Sequence, residues 1–187
     1  MRIARNYRKL NTNEKDLARQ VFRNSLPSWW KIFLTDGLGP LPTFDNPFTE
    51  EVKGTYMIHV GPEVYPDAMV NASFGSFGTY KEILVHEMTH VWQYYHGYHV
   101  VLRSLWANTV GAGYSYTLGG AWDDYNVEQQ AAIVEHWYSP TLGNMSVNDP
   151  RYPYIDKIIR PGIDSGFFST MYENLVIRLK PEDLRRL

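Results

Sequence analysis

The sequence predicts an α+β fold that is mainly helical and carries a small sheet. Two segments, residues 79–96 and 126–138, place apolar side chains at helical spacing, while two short runs rich in β-branched and aromatic residues are bounded by glycine and proline. The chain has 187 residues, of which 44% are hydrophobic, so it is long enough for one well-packed core. We therefore expect a single domain over residues 1–187.

The first part of the chain is predicted to contain one helix and two strands. The helix begins at Thr12 or Asn13 and runs to about Asn24, ahead of a proline- and tryptophan-containing break. Lys31–Thr35 and Thr55–Val60 are predicted strands, each ended by a turn that contains glycine. If the second of these strands lies at the edge of the sheet, an extended peptide can bind there by adding a strand.

The second part is predicted to be mainly helical. Thr79 with Glu82 three residues later is the pattern of a capping box, and the apolar stripe that follows continues to Gly97, a typical helix stop. Further helices are expected over residues 99–108 and 126–138, with a loop rich in glycine and tyrosine over residues 111–120 between them. The tail beyond residue 149 is predicted to mix turns with short helices.

An HExxH motif, His86-Glu87-Met88-Thr89-His90, occupies the middle of the helix that follows Thr79. Side chains at positions i and i+4 share one face of a helix, so both imidazoles can bind one metal ion. Glu87 lies beside them and can accept a proton from an attacking water. The chain has no cysteine, so the ligands must be histidine and carboxylate. The motif predicts a catalytic Zn²⁺ site with ligands His86 and His90 and base Glu87.

A catalytic zinc site needs a third protein ligand, and two residues compete for that role. Glu128 opens the helix that Asn126 is predicted to cap, and Glu135 on nearly the same face is its fallback. His96 gives the histidine spacing of the metzincins, but that pattern turns the chain at a glycine where this sequence has Gln93. A continuous helix would point His96 away from the ligating face, so we favour Glu128.

Two stretches resemble a known family. Leu84–Tyr94, which contains the HExxH motif, and Tyr125–Ala131 are similar to the zincin-like metallopeptidase toxin domains at the C-termini of bacterial VgrG and Rhs proteins, and Ile32–Gly39 is a weaker match. The resemblance covers roughly residues 31–138. It implies a zincin-like fold, His86, His90 and Glu128 as zinc ligands, and Glu87 as base.

The resemblance also implies a biological role. It points to a secreted antibacterial effector that is delivered by a type VI secretion machine through a spike protein, acts on peptide or protein substrates in the periplasm of the target cell, and has an immunity protein as a further partner. One position departs from the thermolysin-type pattern, because Ala132 replaces the acidic residue expected four positions after Glu128. The partner of a zinc-bound histidine must then come from Glu135, Asp123 or Asp124.

Residues that stabilise a developing oxyanion are harder to predict from sequence. Zinc-dependent hydrolysis needs a hydrogen-bond donor beside the metal. Tyr114, Tyr116, His99 and His136 are the candidates for this donor.

Other function classes are restricted by composition. The net charge of −2 gives no electrostatic basis for binding nucleic acid, and no apolar run approaches the length of a membrane span. The first residues lack the apolar region of a signal peptide. Three alternatives to a peptidase of the glutamate-ligand type stay open: a metzincin-like protease that uses His96, a metal-dependent peptidoglycan amidase, and a non-catalytic metal-binding module.

Overall fold

A small mixed sheet and a pair of packed helices organise the protein in the computed structural model, which describes residues 4–39, 46–98, 100 and 113–162. The sheet has four strands in the order β1-β2-β4-β3. These strands are β1 (Tyr7–Lys9), β2 (Ile32–Thr35), β3 (Phe48–Val52) and β4 (Thr55–His59). Strands β2 and β4 are parallel, and the two outer pairs are antiparallel. The α+β class and both predicted strands are confirmed, whereas β1 and β3 were not predicted.

The edge of the sheet beside the predicted motif is β3, not β4. Strand β4 lies between β2 and β3, so the prediction that Thr55–Val60 forms an edge strand is wrong. The turn Lys53-Gly54 joins β3 to β4, with φ values of 52° and 76°. Two successive residues in the left-handed region are what a tight two-residue hairpin requires, which is why β3 folds directly back along β4.

Three helices follow the predicted pattern in the described residues: α1 (Thr12–Phe22), α3 (Tyr80–Tyr95) and α4 (Val127–Tyr138). A further short helix, α2 (Gly61–Val64), was not predicted. The N-cap of α1 is Asn11 rather than Thr12 or Asn13, because Asn11 and Glu14 form a reciprocal capping box. Residues 113–120 form turns without regular structure, as predicted. The predicted helix over residues 99–108 falls almost wholly outside the described residues, as does the tail beyond residue 162.

The core forms where the helices meet the inner strands. Its largest fully buried side chains include Trp92 of α3 and Trp137 of α4. Trp92 Nε1 donates a hydrogen bond to the carbonyl of Ile159 at 3.0 Å, which ties the helical segment Ile155–Ile159 to α3. Ala131 and Ala132 are fully buried on α4. No described helix has the length and apolar character that a membrane crossing requires.

Candidate metal centre

Local sequence fixes the two imidazoles of the motif on α3. Thr79 Oγ1 accepts a hydrogen bond from Glu82 N at 3.3 Å, and Glu82 Oε2 accepts one from Thr79 N at 2.6 Å, so a reciprocal capping box sets the start of the helix. Gly78 has φ +93°, and a Cβ there would lie 2.9 Å from Glu82 Oε2, so the chain needs glycine at this point. His86 and His90 lie one turn apart, with ring centroids separated by 4.9 Å.

Glu128 completes a buried group of three metal-binding side chains. It lies in the first turn of α4, which Asn126 caps. Glu128 Oε2 lies 3.3 Å from His86 Nε2 and 3.4 Å from His90 Nε2, and the three donor atoms lie within 4.8 Å of one another. Zinc bonds of about 2.0–2.2 Å in a tetrahedron place the ligand atoms about 3.3–3.6 Å apart. The group can therefore hold a metal ion with tetrahedral coordination.

A carboxylate on the far side of His86 orients its ring. Glu135 Oε2 lies 2.8 Å from His86 Nδ1, so Nδ1 donates its hydrogen to Glu135 while Nε2 faces Glu128. Glu135 is one of the three residues that the sequence suggested as the partner of a metal-bound histidine. It contacts Nδ1, which leaves Nε2 for the metal. A histidine held in this way has its tautomer and ring angle fixed before a metal binds.

The other two acidic residues named for that role lie elsewhere. Asp123 accepts a hydrogen bond from Tyr98 Oη at 3.1 Å, and Asp124 accepts one from Ala121 N at 2.8 Å. Both side chains therefore serve the turn before α4, and neither contacts an imidazole of the cluster.

An amide that the sequence reasoning missed orients His90. Gln93 Oε1 lies 2.7 Å from His90 Nδ1, and Gln93 Nε2 donates to Val127 O and to Gln130 Oε1, both at 2.9 Å. Since its NH₂ group has two acceptors, the oxygen of Gln93 must face His90, which then carries a hydrogen on Nδ1. The sequence does offer one signal for this contact: Gln93 lies three residues after His90, and residues three apart on a helix are neighbours.

Glu87 is held by a residue of the edge strand. Thr49 Oγ1 in β3 donates a hydrogen bond of 2.8 Å to Glu87 Oε2. The other oxygen, Oε1, makes no hydrogen bond within the described residues, and Glu87 lines a cavity beside the cluster. The sequence carries no signal for this contact, because Thr49 lies 38 residues away in a strand that was not predicted.

Burial and charge oppose each other across the cluster. Burial lowers the pKa of His86, but the hydrogen bonds with Glu128 and Glu135 outweigh burial and hold that pKa well above its usual value. Burial alone would raise the pKa of Glu128, yet His90 and His86 hold it well below its usual range. Burial raises the pKa of Glu87, and the neighbouring imidazoles counteract part of that increase. A carboxylate held ionised between two imidazoles is a site that suits a cation.

The cavity beside Glu87 has a volume of about 270 Å³. Its wall includes His86, Glu87, Tyr114 and His136, so two of the four candidate donors for an oxyanion line it. Burial and the nearby carboxylates raise the pKa of Tyr114, which keeps its phenol protonated. Tyr116 is not among the residues that line the cavity. Its hydroxyl lies 2.8 Å from His136 Nδ1. The fourth candidate, His99, lies outside the described residues.

His96 does not join the metal-binding group. It follows the last turn of α3, where its Nε2 lies 2.9 Å from the carbonyl of Ser25 and its ring packs on Trp92 at a centroid distance of 4.5 Å. The group of possible ligands over the described residues is His86, His90 and Glu128. Because α3 continues past His90 without a turn, His96 is not placed beside His86 and His90, as the metzincin-like alternative requires.

Similarities to known proteins agree with one part of the sequence interpretation. No protein-family model matches the chain. The chain is 40% identical over 62 residues to the type VI secretion system spike protein VgrG2b of Pseudomonas aeruginosa, a stretch that is 30% of this chain and 6% of that protein. Its fold is similar to the effector domain of the same VgrG2b, with a TM-score of 0.56 and 28% sequence identity over 79% of this chain and 83% of the other.

These similarities support a type VI secretion effector domain of the kind associated with VgrG. The chain spans a small fraction of the spike protein's length and most of the effector domain's length. The expected link to a secretion spike protein is consistent with this relation.

Proposed function

We propose that this domain is a zinc-dependent metallopeptidase, with His86, His90 and Glu128 as ligands and Glu87 as the general base. The observation that supports this most directly is the spacing of the three donor atoms. Glu128 Oε2 lies 3.3 Å from His86 Nε2 and 3.4 Å from His90 Nε2. Two nitrogens and one oxygen suit zinc, and three protein ligands leave a position open for substrate or water. When bound, zinc polarises the scissile carbonyl and acidifies the attacking water.

The base and its support are the chain's own contribution to the reaction. Glu87 accepts the proton of the attacking water through Oε1 and passes it to the departing amine. Thr49 holds the other oxygen, so the carboxylate keeps one orientation through both transfers. Glu87 is buried, and burial raises its pKa, which makes the carboxylate a stronger base than an exposed one.

The edge strand supports a peptide as the substrate. Strand β3 ends the sheet on the side of the cavity, and its Thr49 contacts Glu87. An extended peptide that adds to β3 as a further strand places its backbone next to Glu87, with main-chain hydrogen bonds supplying affinity. We further propose that a type VI secretion machine delivers the domain, which the similarity to VgrG2b supports. We also propose that the domain acts in the periplasm of the target cell.

Metal content and turnover test this function together. We expect one zinc per chain in the wild type, and little in His86→Ala. Glu87→Gln should keep its zinc and its fold but lose turnover of denatured protein substrates, because an amide cannot accept the proton. Glu63→Gln, the same change at an exposed site, is the control. Zinc at the wild-type level in His86→Ala would disprove the ligand assignment.

A parallel incubation with purified sacculi separates the substrate classes. Cleavage of the sacculi alone would identify a peptidoglycan amidase on the same metal site. Wild-type protein that binds zinc and cleaves neither substrate would instead identify a non-catalytic metal-binding module.

A further inference from the structure

His136 ends a chain of hydrogen bonds that begins at Asp149 and passes through Arg151 and Tyr116. Asp149 holds Arg151 through two contacts of 2.8 Å, one to its backbone N–H and one to its guanidinium. Arg151 Nε donates to Tyr116 Oη at 3.0 Å, and Tyr116 Oη lies 2.8 Å from His136 Nδ1. The ring of His136 lines the cavity that Glu87 and His86 also line.

The direction of each hydrogen bond in this chain follows from donor and acceptor chemistry. A guanidinium only donates, so the oxygen of Tyr116 accepts from Arg151. The single hydroxyl hydrogen of Tyr116 then has His136 Nδ1 as its acceptor, and no other acceptor for it is found within the described residues. Nδ1 must therefore be unprotonated, and the hydrogen of a neutral imidazole must be on Nε2.

We call the hydrogen-bonded residues Arg151, Tyr116 and His136 the relay. The charges around it favour a neutral His136 with its hydrogen on Nε2. Burial raises the pKa of Tyr116, so its phenol keeps the hydrogen that it donates. Burial lowers the pKa of His136, and the nearby cation Arg151 acts in the same direction, while Glu135 opposes them. Nδ1 is occupied by Tyr116, and Nε2 has no hydrogen-bond partner in the described part of the chain. Because His136 lines the cavity, we take Nε2 as the atom that a molecule bound there can contact.

We propose that Arg151 and Tyr116 hold His136 in the tautomer whose Nε2 carries the hydrogen, so that this atom donates to the carbonyl oxygen of the substrate. The proposal rests on the proposed peptidase function and extends it, with His136 as a catalytic residue and Tyr116 and Arg151 as positioning residues. A donor that is fixed before reaction stabilises the negative charge that develops on that oxygen without reorganising.

The tautomer can be measured without any turnover. Long-range ¹H–¹⁵N correlation spectra of the full chain should show His136 with a protonated Nε2 and an unprotonated Nδ1. Tyr116→Phe should disturb that pattern, and Tyr152→Phe, which removes a hydroxyl outside the relay, should preserve it. A wild-type His136 with its hydrogen on Nδ1 would overturn the proposal.

Kinetics test the role of the donor. His136→Leu should lower kcat by about 10²–10³-fold with little change in KM. His136→Gln, which keeps an N–H donor, should recover part of that loss. Tyr116→Phe should cost about tenfold in kcat. Zinc content should be unchanged in all of these variants.

Two results would count against the assignment in different ways. If Tyr114→Phe lowers kcat and His136→Leu does not, the donor is Tyr114 and the proposal for His136 is wrong. If the wild type shows no turnover on any substrate, the proposed function fails, and the spectra alone decide whether the relay sets the tautomer.

Discussion

The two imidazoles of the metal cluster are oriented by chemically different partners. His86 donates to the carboxylate of Glu135, and His90 donates to the neutral amide of Gln93. A carboxylate makes its histidine a more basic ligand than an amide does, because it stabilises positive charge on the ring. The sequence named Glu135 but not Gln93, since glutamine has no charge to mark it and its network with Gln130 forms only when α3 and α4 pack.

Both partners should matter for metal affinity while the ligands stay in place. Gln93→Ala and Glu135→Ala should each weaken zinc binding by about 10–100-fold, the usual effect of removing an outer partner of a ligating histidine. Glu128→Ala should lose more, because it removes a ligand. Competition with a chelator measures all three affinities. His96→Ala is the control, and a loss there that exceeds the loss in Glu128→Ala would contradict the ligand set.

A buried histidine outside the metal cluster, His59, makes stability depend on pH. His59 Nδ1 lies 2.8 Å from Thr35 Oγ1, its Nε2 lies 3.1 Å from Glu50 Oε1, and its ring stacks on Phe48 at 4.1 Å. Burial lowers the pKa of His59, with Glu50 opposing. A folded-state pKa below the unfolded value favours the neutral ring in the fold. Its contribution is therefore full above the unfolded pKa of about 6.5 and is lost as the pH falls through the folded value.

This sign gives a measurable difference. The advantage of the wild type over His59→Gln in the free energy of unfolding should be smaller at about pH 5 than at about pH 7.5, because glutamine does not titrate. Urea denaturation of the metal-free proteins at the two pH values measures it. An advantage that grows toward acid pH would mean that the charged imidazole is the form that the fold prefers.

At the level of elements, the sequence predicted what is local and missed what depends on pairing. Helices α3 and α4 could be predicted because the capping boxes and the apolar stripe lie within each segment. Strand β3 has the sequence Phe-Thr-Glu-Glu-Val, and its last two residues are both exposed, so it lacks a clear alternating pattern. Its pairing with β4 and the contact of Thr49 with Glu87 define the strand, and the second of these joins residues that lie 38 positions apart.

The same division applies to the candidate site. The motif placed His86, Glu87 and His90 together because one helix carries them, and Glu128 followed from the cap of the next helix. Thr49 and the Arg151–Tyr116 relay come from other parts of the fold, and Gln93, although it lies on α3, is fixed by contacts with α4. Long-range contacts of this kind leave no periodic trace in a single sequence.

The interface between α3 and α4 carries the cluster, so its packing should control metal affinity. Ala131 is fully buried on α4, three residues after Glu128. Ala131→Leu adds volume to a closed position and should lower the free energy of unfolding by about 1–3 kcal/mol. It should also weaken zinc binding, because a displaced α4 moves Glu128. Urea denaturation and chelator competition measure the two effects, with the exposed Ala121→Leu as control. Unchanged values in both would show that the interface has spare room.

For the whole molecule, burying the cluster of polar side chains lowers the stability of the metal-free fold. Glu87, Glu128, His86 and His90 are all buried polar groups, and an uncompensated charge in such a place destabilises a fold. A bound cation offsets this, and any ligand that binds only the native state stabilises it by mass action. The arrangement concentrates opposing charges at one cavity, which is typical of sites that bind metal and substrate rather than of structural cores.

The similarity to a type VI secretion effector domain suggests a test of the proposed function in living bacteria. Produced in bacteria with an added export signal, the wild type should impair growth or cell shape, and Glu87→Gln should not, because the proposed damage is hydrolytic. Production without the signal should be milder if the substrate is periplasmic. Plating efficiency and cell imaging measure both effects, with protein levels matched by blotting. Equal toxicity of the two variants would mean that the harm does not depend on the base. Toxicity restricted to the cytoplasm would overturn the periplasmic site of action, yet it would leave the metal centre and its test by zinc content untouched.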